Sequence, residues 1–153
     1  MKAKLCAVSA LVAAACWTAS SAWAQHKMVM PDDLKWSDVP SLPRGAQGAV
    51  IEGPMSEAVP FILRLKLPAN YRIPPHWHPA VERVTVLSGT FNMGIGETFD
   101  RASTHALPPG GMMIMQPKTP HFGWTASETV VQVHGTGPWG VTYVNPVDDP
   151  RKQ

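Results

Sequence analysis

Pro75-His76-Trp77-His78-Pro79-Ala80-Val81-Glu82 is the stretch on which the reading of this chain turns. Residues two apart on an extended strand point to the same face. His76, His78 and Glu82 share that parity, so one extended stretch aims two imidazoles and a carboxylate at one point. Pro74-Pro75 keeps the backbone extended just ahead of them. A fourth ligand from a distant strand completes a first-row metal site of three nitrogens and one oxygen. His121, in Pro120-His121-Phe122-Gly123-Trp124, is the candidate for that ligand.

Outward from this stretch the pattern is β. Residues 61–67 put Phe61, Leu63, Leu65 and Leu67 on one face and Arg64 and Lys66 on the other, the mark of a half-buried strand. Strands are expected over 49–52, 81–87, 90–95, 112–116, 121–125, 129–134 and 141–145, with a helical turn within 97–104. They recur about every ten residues with Gly and Pro between them, which predicts an all-β sandwich or barrel. Met93, Met112, Met113 and Met115 are expected to fill the core rather than to ligate a soft metal. Trp36, Val39 and Leu42 are expected to dock an irregular arm on the domain. Trp139, in Gly137-Pro138-Trp139-Gly140, is expected to cover one opening, and His26 and His105 to lie at the surface.

Residues 1–24 read as a secretory signal: Lys2 and Lys4, an apolar run from Leu5 to Cys16, and Ala22-Trp23-Ala24 before a cleavage point at Gln25. The expected location is periplasmic or secreted. Cys6 and Cys16 both fall inside the signal, so the mature chain has neither a disulfide nor a thiolate. Without Lys2 and Lys4, 11 basic residues stand against 11 acidic ones. No basic stripe remains to recognise nucleic acid, and no second apolar run approaches a membrane span. The expected layout is a signal over 1–24, an arm over 25–44, one domain over 45–147 and a tail over 148–153.

The pattern His76-x-His78-x3-Glu82-x6-Gly89 resembles the first motif of the cupin superfamily, with Asn70 where the family usually has a Gly before the first His. Asn is the non-Gly residue best suited to left-handed backbone. The family's second motif is Gly-x5-Pro-x-Gly-x2-His. It is matched in one of two registers. One starts at Gly110, with Gln116 for the Pro and Lys118 for the second Gly; the other keeps Gly111 and Pro117 with a shorter loop. Thr125 stands where the family often has Asn. The resemblance is closest to small, secreted, single-domain cupins. It implies a jelly-roll barrel of two antiparallel sheets, a metal inside its mouth held by His76, His78, Glu82 and His121, a small-molecule ligand and a homodimer.

Such a ligand set leaves open positions on Fe, Mn, Ni, Co or Zn. The function expected is that of a metal-dependent oxidoreductase of the oxygenase kind acting on a small molecule; the alternative is a non-catalytic module that binds metal or a small ligand. Gln132 and His134 alternate with Val131 and Val133. With the valines outward, the two polar side chains face the interior, where they support the ligands or touch substrate; with the opposite parity they are surface groups. No serine-nucleophile motif, phosphate loop or dinucleotide fingerprint is present.

Overall fold

The computed structural model describes residues 26–153. The expected signal and its cleavage between Ala24 and Gln25 lie outside the described residues. The strands run, in chain order, β1 (Ser37–Asp38), β2 (Gln47–Glu52), β3 (Pro60–Leu67), β4 (Arg72–Trp77), β5 (Glu82–Ser88) and β6 (Phe91–Ile95). They continue with β7 (His105–Leu107), β8 (Met112–Met115), β9 (His121–Trp124), β10 (Thr129–Thr136) and β11 (Thr142–Tyr143). Short 3-10 turns, such as Arg101–Ser103, account for the described helical residues.

Two antiparallel sheets result, ordered β1-β2-β3-β10-β5-β8 and β11-β4-β9-β6-β7. Together they make a jelly roll, but the sheets are not closed into a barrel, which corrects the barrel expectation. Edge strands such as β1 and β11, two residues each, are too short to carry a hydrogen-bond ladder from one sheet to the other. Packing joins the sheets instead.

Alternation in β3 builds the core. Phe61, Leu63, Leu65 and Leu67 are buried while Ile62, Arg64 and Lys66 lie on the outer face. On one side of β3, β10 pairs in register from Thr129↔Leu67 to Thr136↔Pro60, which places Val131 and Val133 beside the leucines. Val84 and Val86 of β5 extend the same surface, and Ile73, Phe91 and Met93 face it from the second sheet. Met93 and Met115 fill the core as expected, whereas Met112 is 46% exposed.

The arm is less irregular than its sequence indicates. Ser37 and Asp38 add β1 to the first sheet. Leu42 is buried, and the hydroxyls of Tyr71 and Tyr143 donate to the carbonyls of Pro43 and Ser41. At the other terminus, Arg151 pairs with Asp149 and donates to the Val141 carbonyl. Among the described residues no helix is long and apolar enough to cross a membrane.

β4 falls in the stretch whose extended backbone Pro74 and Pro75 mark in the sequence. They fall where the β4–β9 register shifts between Ile73 and His76, so the ladder opens where donors are missing.

Candidate metal centre

His76 on β4 pairs directly with His121 on β9. His78 lies one residue beyond β4, and Glu82 is the first residue of β5 in the opposite sheet. The three do not share one extended stretch. Shared parity places His76 and His78 together; a turn over residues 79–81 then carries the chain across to the facing sheet, which brings Glu82 in from the other wall. This crossing is tied down by the Lys118 amide, which donates to the His78 carbonyl at 2.8 Å.

Backbone conformation chooses between the two registers of the second motif. Gly110 has φ 83° and Lys118 has φ 60°, so Lys118 occupies the left-handed position a Gly would fill. Asn70 does the same for the first motif at φ 57°. Thr125 is fully buried and anchors the turn around Asn70: its hydroxyl donates to the Pro68 carbonyl at 2.7 Å and its amide to the Tyr71 carbonyl at 3.0 Å. Lys118→Gly is expected to stabilise the chain by about 1 kcal/mol, because it removes a left-handed penalty. Urea unfolding checks this, and a destabilised variant contradicts it.

Every histidine of the cluster is oriented by a carbonyl. Nδ1 of His76 lies 2.8 Å from the Pro74 oxygen, that of His78 2.7 Å from Gly140, and that of His121 2.9 Å from Thr119. A carbonyl oxygen only accepts, so each Nδ1 carries the proton and each Nε2 presents a lone pair. The rings converge, with the His76 centroid 4.3 Å from that of His121 and 4.9 Å from that of His78. The Glu82 carboxylate lies 3.4 Å from His78 Nε2 and 3.2 Å from His121 Nε2. Those distances would suit hydrogen bonds, but the protons are on the other nitrogens. Nε2 of His78 and Oε2 of Glu82 are accordingly buried without a hydrogen-bond partner.

Buried lone pairs facing a carboxylate repel one another, and a cation at their focus removes the conflict. The donor set therefore fits a divalent first-row ion. Among the described residues, His76, His78 and His121 offer ligand atoms that all lie within 4.8 Å of one another. Glu82 is placed to add an oxygen.

Burial pushes the His76 ring well below the usual imidazole range, with the nearby His121 and His78 rings adding to the shift. His78 is also lowered, burial outweighing the pull of Glu82 in the opposite direction. Both rings are thus neutral in the folded chain under conditions where an unfolded chain takes up protons, below about pH 6.5. The unfolded state then binds more protons, so stability without metal is lost as pH falls from about 6.5 toward the lowered folded values. The slope is at most about 1.4 kcal/mol per pH unit for each ring. Thermal unfolding of chelator-treated protein should show a lower midpoint at pH 5.5 than at pH 7.5; an equal or higher one contradicts this.

The cluster opens on a cavity of ≈ 90 Å³ between the sheets. Val131 and Val133 line it, so Gln132 and His134 point the other way. The interior placement considered for them is thereby corrected: β10 turns its valines to the core because β3 and β5 present leucine and valine there. On the outer face Gln132 accepts from Arg64 at 3.2 Å, and His134 lies between Ile62 and Arg83. Trp139 does cover the cavity, its ring stacked on His78 at 4.1 Å and 14° and packed on Phe61. Its amide donates to the Met55 carbonyl at 2.7 Å, which ties the 137–140 loop to the 53–59 loop across the mouth. The orienting carbonyls of Pro74, Thr119 and Gly140 were invisible in the sequence, since any residue supplies a carbonyl. The one hint was position, because two of them lie two residues before the histidine they hold.

No protein-family model matches the sequence, and no curated protein matches it. Solved structures do. The polyketide cyclase RemF from Streptomyces resistomycificus aligns with a TM-score of 0.68 at 20% identity, over 84% of this chain and 92% of that one. A putative acetylacetone dioxygenase from Methylibium petroleiphilum aligns with a TM-score of 0.62 at 16% identity, over 82% and 85%. An RmlC-like cupin from Ralstonia eutropha aligns with a TM-score of 0.60 at 15% identity, over 82% and 76%. The chain shares the fold of these structures, RmlC-like cupins among them.

Proposed function

We propose that this chain is an exported, metal-dependent enzyme of the oxygenase type that acts on a small molecule. The observation that carries the reading is the convergence of three Nε2 lone pairs and the Glu82 carboxylate at one end of an apolar cavity. Dioxygenases among the structures of similar fold support it. The signal-like residues 1–24 motivate export.

His76, His78, Glu82 and His121 would hold the ion. When bound, a redox-capable divalent ion supplies Lewis acidity and one-electron chemistry with dioxygen. The chain's own residues do the rest. The carbonyls of Pro74, Gly140 and Thr119 hold the rings in the ligating tautomer. Trp139 and the apolar walls exclude water from the reacting centre. The four ligands apart, none of the lining residues is titratable, so the site is poorly equipped for chemistry that needs a dedicated acid or base.

Oxygen uptake by protein loaded in turn with Fe(II), Mn, Co, Ni and Zn, against a panel of small oxygenated compounds, tests this. Uptake is expected with a redox-active ion and not with Zn, and it is expected to vanish in His76→Ala. Tight binding of a panel compound with no uptake under any metal would replace the reading with a binding module.

A further inference from the structure

We propose that Trp139 and the Gly140 carbonyl position His78, so that the 137–140 loop is a latch on one ligand: with the loop down His78 is held for metal, and with it lifted that ring alone is free to turn. The latch deepens the metal-dependent reading above and rests on it for the ion, but not for the hold on the ring.

An asymmetry among the three histidines carries the argument. His76 and His121 each take their Nδ1 contact from a carbonyl two residues earlier in the same segment, Pro74 and Thr119. Both also lie on strands, and they pair with each other across the β4–β9 ladder. Wherever those strands form, these two rings are set. His78 lies one residue beyond β4, and its Nδ1 contact is the Gly140 carbonyl, 62 residues away in sequence. Lys118 ties its backbone, but the loop sets its ring.

The loop holds that ring at its edge and on its face. The Gly140 oxygen lies 2.7 Å from Nδ1, and the Trp139 indole is stacked on the imidazole at 4.1 Å between centroids and 14° between planes. Adjacent residues supply the two contacts, so a movement of the loop carries both away together. Two backbone hydrogen bonds fasten the loop to the 53–59 segment. The Gly137 amide donates to the Val59 carbonyl at 3.0 Å and the Trp139 amide to the Met55 carbonyl at 2.7 Å. The two glycines differ in their surroundings. A Cβ at Gly137 would overlap the Glu57 and Met55 carbonyl oxygens, whereas one at Gly140 would meet nothing within 4 Å. The loop is therefore clamped at Gly137 and has open space at Gly140, the end that holds His78. A partner that orients a metal-bound histidine is worth about 10- to 100-fold in metal affinity. Here that factor depends on where the loop lies.

Three variants test the latch. Trp139→Ala removes the contact on the face of the ring, and Trp139→Phe keeps a flat ring there. Gly137→Ala pries the loop from residues 55–57 without altering His78 or Trp139. Histidine-ring ¹H–¹⁵N spectra of the zinc-free chain at about pH 7.5 read the tautomers. Zinc release into excess chelator reads retention. In Trp139→Ala and Gly137→Ala, His78 is expected to exchange between its two tautomers while His76 and His121 keep the proton on Nδ1. Zinc release is expected to quicken at least about tenfold in both, with Trp139→Phe close to the parent. Should Trp139→Ala fail to fold, Gly137→Ala decides. An unchanged His78 ring or release at the parent rate overturns the proposal. So does an equal change in all three rings, the mark of a general loosening rather than a latch. If the parent chain takes up no zinc, the metal reading fails by itself, and the zinc-free spectra still decide whether the loop holds His78.

Discussion

His78→Ala should lower the affinity for a divalent ion by more than about 100-fold, since even partners that only orient a ligand are worth 10- to 100-fold. The reason is geometric. His78 stands at the crossing between sheets, with its Nδ1 held 2.7 Å from the Gly140 carbonyl and its ring stacked on Trp139. The ring is fixed before any ion arrives, so its loss removes a preorganised donor rather than a mobile one. The change also leaves Glu82 buried with one fewer neighbour. Metal analysis after dialysis against a weak competitor reads the effect. Gln132→Ala is the control, because that side chain faces outward and bonds to Arg64. A His78→Ala protein that keeps full metal through the dialysis would contradict the assignment.

Phe61→Ala should destabilise the fold by about 3–5 kcal/mol, the usual range for emptying a fully buried aromatic site. Phe61 is 1% exposed and packs on Trp139 at 5.1 Å between ring centroids. The backbone around it cannot readily collapse, because Gly135 of β10 and β3 are joined in a continuous register beside it. The effect should reach the site as well, since Trp139 also lies flat against His78. Urea unfolding with a two-state fit measures it, and a loss below about 1 kcal/mol would show that the cavity end is more plastic than its packing implies.

Much of this was legible in the residues. Alternation in 61–67 and the Gly and Pro spacing are local signals, and they located β3, β5, β6 and β9 to within a residue or two. The His-x-His spacing works because it depends only on strand parity, which holds as far as His78. Glu82 was named for a reason that fails: it reaches the cluster from the facing sheet, through a turn whose path depends on Lys118 and the rest of the fold. Gln132 and His134 show the complementary limit. Val-Val-Gln-Val-His fits either parity, and the choice is made by β3 and β5, which lie far away in sequence. β4 was legible as extended backbone around the histidines but not as a paired strand, because its prolines oppose a ladder that is in fact interrupted at that point. The left-handed Asn70 and Lys118 replace glycines of the first and second motifs, which is why both depart from the pattern in residues while their backbone does not.

Long-range ¹H–¹⁵N correlation spectra of the histidine rings, recorded on the zinc-loaded mature chain, test the metal centre most directly. His76, His78 and His121 should each show a proton on Nδ1 and a metal-shifted Nε2, while His26, His105 and His134 keep the signals they have without zinc. A proton on Nε2 of any of the three, or a zinc-induced shift at His134 instead, would contradict the arrangement of lone pairs on which the centre depends.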